Sequence, residues 1–79
     1  MYGGKGDDIL YGNDDDDELR GNQGDDILHG GKGNDILYSG GGSNELYGGS
    51  GNDRLVSKKG DDKLVGGQGC DKFEVLSTV

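Results

Sequence analysis

A nine-residue period runs from Gly3 to Glu74 without insertion or deletion. The eight blocks are GGKGDDILY, GNDDDDELR, GNQGDDILH, GGKGNDILY, SGGGSNELY, GGSGNDRLV, SKKGDDKLV and GGQGCDKFE. Their eighth column is apolar throughout: Leu10, Leu19, Leu28, Leu37, Leu46, Leu55, Leu64 and Phe73. The sixth holds Asp8, Asp17, Asp26, Asp35, Asn44, Asp53, Asp62 and Asp71. The fourth column is Gly except at Asp15, and the first is Gly except at Ser39 and Ser57. Composition alone, with 16 acids, 8 bases, 19 glycines and no proline, points to an acidic disordered chain. Four columns held in phase over eight blocks exclude that reading and make the period the guide to the fold.

Each block divides in two. Its first six residues are the Gly, Asn, Asp and Ser of tight turns with positive φ. Its last three centre on Leu, enough for a very short strand with the middle side chain on one face. No window has the 3.6-residue apolar spacing of a helix. A three-residue strand cannot stand alone, so strands must stack. With two blocks per coil, Leu10, Leu28, Leu46 and Leu64 line one sheet, and Leu19, Leu37, Leu55 and Phe73 line the facing one. All eight are expected to point inward. The fold class is therefore all-β: a flat roll of two parallel, short-stranded sheets.

That stacking sets Asp8 over Asp26, and Asp17 over Asp35, Asp53 and Asp71. Like charges so close repel, and a cation between the turns would relieve them. Carboxylates and carbonyls are hard oxygen donors that suit calcium or magnesium. Irregular carbonyl-rich turns favour calcium, because magnesium demands a tight octahedron. One His and one Cys, His29 and Cys70, cannot make a zinc site.

The blocks resemble the repeats-in-toxin (RTX, hemolysin-type) nonapeptide Gly-Gly-x-Gly-x-Asp-x-U-x, where U is a large apolar residue. GGKGDDILY, GGKGNDILY and GGSGNDRLV match it at every fixed position. The resemblance implies a right-handed parallel β-roll with calcium between blocks n and n+2. It implies that the earlier turn gives its second and fourth carbonyls and sixth side chain, and the later turn its first and third carbonyls and sixth side chain. Carried over, the first site uses Gly4, Gly6, Asp8, Gly21, Gln23 and Asp26. The site between blocks two and four uses Asp17, Gly30, Lys32 and Asp35. The next on that side uses Gly31, Gly33, Asp35, Gly48, Ser50 and Asp53, and the last Gly49, Gly51, Asp53, Gly66, Gln68 and Asp71. Asp62 belongs to a site shared with Asn44. Up to six calcium ions follow from eight turns in two stacks.

The departures from the pattern matter. Asn44 removes one charge from each of its two sites, so these are expected to be weakest or empty. Block two places Asn13, Asp14 and Asp15 where glycines are common, although Asp tolerates left-handed geometry. Ser57-Lys58-Lys59 sets two cations beside a turn. The roll is expected over residues 3–74, with 75–79 as a terminal strand or partial cap and self-association through open ends, or self-assembly through the exposed Ile/Tyr face as part of the alternative reading below. The resemblance implies an extracellular or secreted setting, in a segment of a larger protein. No cleavable signal peptide and no membrane span is expected.

Other functions fit less well. An EF-hand needs Gly at its sixth position and Glu at its twelfth. From Asp14 these are Leu19 and Asp25, and from Asp15 they are Arg20 and Asp26. Phosphate loops need a long strand and a helix, which are lacking, and a charge of −8 disfavours nucleic acid. No enzyme is expected, since each well-placed Asp belongs to a repeat column and His29 has no identifiable partner. Ice binding lacks a threonine ladder. Cys70 reads as a surface thiol. A recognition surface remains as the alternative, with Ile9, Tyr11, Ile27 and Tyr47, beside His29, clustered outside the odd sheet.

Overall fold

The computed structural model describes residues 2–57, 62–69 and 71–75. These contain eight strands and no helix: β1 (Ile9–Tyr11), β2 (Glu18–Arg20), β3 (Ile27–His29), β4 (Ile36–Tyr38), β5 (Glu45–Tyr47), β6 (Arg54–Ser57), β7 (Lys63–Val65) and β8 (Lys72–Val75). Each strand starts directly after a sixth-column residue. Outside block seven, each turn reverses through two left-handed residues, at the second and fourth positions of the block. Gly31 (φ 88°) and Gly33 (φ 102°) hold those positions in block four. In block two Asn13 (φ 70°) and Asp15 (φ 73°) adopt the same backbone without glycine, as short polar side chains can.

The strands form two parallel sheets, ordered β1-β3-β5-β7 and β2-β4-β6-β8. Every pairing joins residue i to residue i+18, as in Leu10 beside Leu28 and Leu19 beside Leu37. Two blocks thus make one coil, and the coils stack as a β-solenoid of the roll type expected from the period. A one-residue slip would turn every leucine outward, so the apolar column fixes the register. Tyr2, which precedes the first block, adds a parallel bridge to Arg20.

Leu19, Leu28, Leu37, Leu46 and Leu55 are fully buried between the sheets, with Leu10 nearly so. Leu64 is only partly buried against this cluster. Phe73, expected inside, is 52 % exposed. Both corrections have one cause. Among the described residues β7 and β8 are hydrogen-bonded on one side only, so no further described coil lies above their inward residues. Val75 continues β8 opposite Ser57, while the rest of the expected cap, Leu76 to Val79, lies outside the described residues. So do Lys58, Lys59 and Cys70.

The outer face of the odd sheet also differs from expectation. Ile9 and Tyr11 are exposed, but Ile27, His29 and Tyr47 are half-buried. His29 does have partners: its ring stacks between Tyr11 and Tyr47, with both centroid distances 4.9 Å. The 18-residue register creates this ladder, since residues 11, 29 and 47 are adjacent on one face. On the other sheet the Arg20 guanidinium lies 4.3 Å over the Tyr38 ring, and Arg54 pairs with Glu74 at 2.9 Å.

Core truncation should follow this burial gradient. Leu37→Ala is expected to cost about 2–5 kcal/mol in denaturant unfolding with calcium present, and Phe73→Ala distinctly less.

Candidate metal centre

The sixth-column residues are threaded together by the main chain. The N–H groups of Asp8, Asp17, Asp35 and Asp53 donate to Oδ1 of Asp26, Asp35, Asp53 and Asp71, each at 2.8 Å. Asp26 donates likewise to Asn44 Oδ1 at 2.6 Å, and Asn44 to Asp62 Oδ1 at 2.7 Å. In Asp26, Asp35 and Asp53 one side-chain oxygen is therefore satisfied by the preceding coil. The other is not. Oδ2 of Asp8, Asp17, Asp26, Asp35 and Asp53 is buried with no hydrogen-bond partner. An unsatisfied buried acceptor costs about 1–3 kcal/mol, and more when charged. The repeat places such an oxygen at turn after turn.

The first-column glycines show where these oxygens lie. A Cβ on Gly30 would sit 2.8 Å from Asp35 Oδ2 and 2.7 Å from the Gly48 carbonyl oxygen. A Cβ on Gly12 would meet Asp17 Oδ2 and the Gly30 carbonyl at 2.9 and 2.6 Å. The same holds for Gly3 with Asp8 and Gly21, and for Gly48 with Asp53 and Gly66. These glycines have no positive φ. They are small so that a carboxylate oxygen and the next coil's carbonyl can face one spot. The general expectation of positive φ through the turn is corrected here: it holds at the second and fourth positions, while the first serves space.

Two of the expected ligands of a site are thus brought together in each of four pairs: Asp8 with Gly21, Asp17 with Gly30, Asp35 with Gly48, and Asp53 with Gly66. Other expected donors are engaged in interturn packing. The carbonyls of Gly4, Gly31 and Gly49 accept the N–H groups of Gln23, Ser50 and Gln68 at 3.2, 3.1 and 3.0 Å. Lys32 N–H donates to the Asn13 carbonyl. A Cβ on Gly24, Gly51 or Gly69 would run into the carbonyl of Gly6, Gly33 or Gly51 from the preceding coil. A carbonyl has two lone pairs, so an N–H bond leaves room for a second partner. Asp62 is different, because its Oδ2 carries hydroxyl partners.

One ladder was missed by the sequence reading. In the fifth column, Asp7, Asp16, Asp25 and Asn34 accept, through Oδ1, the N–H groups of Asp25, Asn34, Ser43 and Asn52 at 2.7–2.8 Å. The signal was present, since six of the eight fifth-column residues are Asp or Asn.

Among the described residues no three His, Cys, Asp or Glu side chains gather as a metal-binding group. Any ion at these turns would take most of its ligands from main-chain carbonyls. Buried orphan carboxylate oxygens beside carbonyls form a hard, irregular oxygen set, which fits calcium. A family model for the RTX calcium-binding nonapeptide repeat matches four times, over residues 1–28, 11–46, 20–55 and 47–73.

The chain belongs to the RTX calcium-binding nonapeptide repeat family. No curated protein and no solved structure matched it. It is a calcium-binding RTX repeat module with a β-roll fold, and the repeat is a structural one rather than an enzyme family. No described helix is long and apolar enough to cross a membrane.

Burial raises the pKa of three RTX carboxyls. Desolvation is the largest cause for Asp26, Asp35 and Asp53, opposed by the main-chain N–H each accepts and reinforced by the neighbouring acids. Asp35, between Asp17 and Asp53 in its stack, is pushed from 3.8 to about 6. A carboxyl with a raised folded-state pKa holds its proton in the fold at a pH where the unfolded chain has lost it. Its contribution favours the fold below pH 3.8 and is lost as pH rises to about 6. Metal-free protein should therefore gain strand signal in circular dichroism on going from pH 7.5 to 5. Calcium affinity should fall over the same interval, because the ligands must be ionised.

The first-column spacing gives a second check. Gly30→Ala should weaken calcium binding at least tenfold in a titration. Gly41→Ala, where an added Cβ meets nothing within 4 Å, should leave it unchanged.

Proposed function

We propose that calcium bound between successive turns drives the folding of this module. The observation that carries the reading is the run of buried Oδ2 atoms without partners. Without a cation, these oxygens and the acidic excess oppose stacking, and the leucine column is narrow. With a cation, the cost of burial is removed at each junction, and binding energy becomes folding energy.

The proposed ligands are those of the repeat pattern. Asp8, Asp17, Asp35 and Asp53 present their Oδ2 atoms, and Gly21, Gly30, Gly48 and Gly66 their carbonyls. Gly4, Gly6, Gly31, Gly33, Gly49 and Gly51 complete the earlier turns. Gln23, Lys32, Ser50 and Gln68 contribute carbonyls from the later turns, and Asp26, Asp35, Asp53 and Asp71 close each set. Asp35 and Asp53 each serve two junctions. RTX repeats are typical of secreted bacterial proteins, and a fold gained only in calcium suits a chain that crosses from a calcium-poor to a calcium-rich compartment.

Excess chelator should abolish the strand signal in circular dichroism, and calcium should restore it. An unchanged spectrum would refute the coupling. In calorimetric titration, Asp35→Ala and Asp53→Ala should each reduce calcium uptake more than Asp62→Ala, and equal losses would count against the ligand assignment.

A further inference from the structure

We propose that the junction between the fifth and seventh blocks is a hydrogen-bonded clasp in which Ser39, Asn44 and Ser57 do the work of a cation, so that it takes no ion. The inference rests on the calcium reading above. It concerns the one stack in which the repeat is broken twice, at the first column and at the sixth.

At the other junctions the first column is glycine and the carboxylate Oδ2 facing it is an orphan. In blocks five and seven the first column is serine, and Ser39 and Ser57 are buried, 0 % and 3 % exposed. The Ser57 hydroxyl donates to Asp62 Oδ2 in a short hydrogen bond. Ser39 Oγ lies 3.4 Å from the same oxygen and 3.2 Å from the Gly40 carbonyl. Its single proton serves one of them at a time. Asp62 Oδ2 is accordingly not among the orphans.

Asn44 completes the set. Its Oδ1 accepts the Asp26 N–H, which turns its amide nitrogen towards its own turn. There Nδ2 lies 2.9 Å from the Gly41 carbonyl and 3.4 Å from that of Gly42. In the repeat pattern, Gly40, Gly42 and Asp62 would be calcium ligands of this junction. Here each has a neutral donor from the chain itself. An ion entering would displace those hydrogen bonds and gain one carboxylate instead of two. Asn44 and the two serines are therefore coupled substitutions: the residue that lost its charge is matched by the residues that supply protons.

Calcium counts at saturation on the full chain test this directly. Asp62→Asn keeps Oδ1 for the Asn44 N–H and sets an amide donor against the Ser57 hydroxyl oxygen, which can accept, and it is expected to bind as many ions as the parent, with a midpoint within twofold. Asp53→Asn should lose at least one ion. The triple variant Ser39→Gly, Asn44→Asp, Ser57→Gly restores the repeat and should bind at least one ion more than the parent. Loss of an ion in Asp62→Asn overturns the clasp, as does an unchanged count in the folded triple variant. If the triple variant fails to fold, Asp62→Asn still decides the matter. A parent that binds no calcium fails the functional reading and the clasp together, whereas calcium binding that depends on Asp62 fails the clasp alone.

Discussion

A carboxylate oxygen buried without a donor is the constraint around which this roll is organised. The carboxylates of Asp26, Asp35, Asp53 and Asp71 are held in place from one side by main-chain N–H groups, so they cannot swing out to water without breaking the interturn bonds. Their second oxygens are thereby committed to the space beside the first-column glycines. Strand pairing, leucine burial and turn geometry all follow the same 18-residue register. That register brings like charges together in the act of building the core, so core and cation site are one structure seen from two sides.

The neutral solution in the middle of the odd stack makes the same point. Where the aspartate becomes Asn44, the glycines facing it become Ser39 and Ser57, and donors meet the oxygens that elsewhere lack partners. On the proposed reading each junction is closed by a cation or by protons from the chain, so the roll would combine junctions that respond to calcium with one that holds without it.

Much of this was legible in the sequence. The phase of the leucine column gave the strands, the two-block coil and the pairing of Leu10 with Leu28, because a period-two strand with one apolar residue has one inward face. The aspartate column gave the stacking of carboxylates, five of which hold a buried oxygen without a partner. What was not legible depends on contacts between coils. The first-column glycines look like turn residues, yet their role is to leave space for an oxygen from another coil. Ser39 and Ser57 read as lapses in the pattern until their burial is known. Phe73 fits the apolar column but lies in the outermost described coil, where it is half exposed. His29 looked solitary along the chain, although counting 18 residues either way reaches Tyr11 and Tyr47.

The most direct measurement is diffraction from crystals grown in calcium, with anomalous differences collected at long wavelength. Density for ions beside Oδ2 of Asp8, Asp17, Asp35 and Asp53, with none beside Asp62, is the expected result. Ordered coils with no ion at any of those four carboxylates would contradict the account.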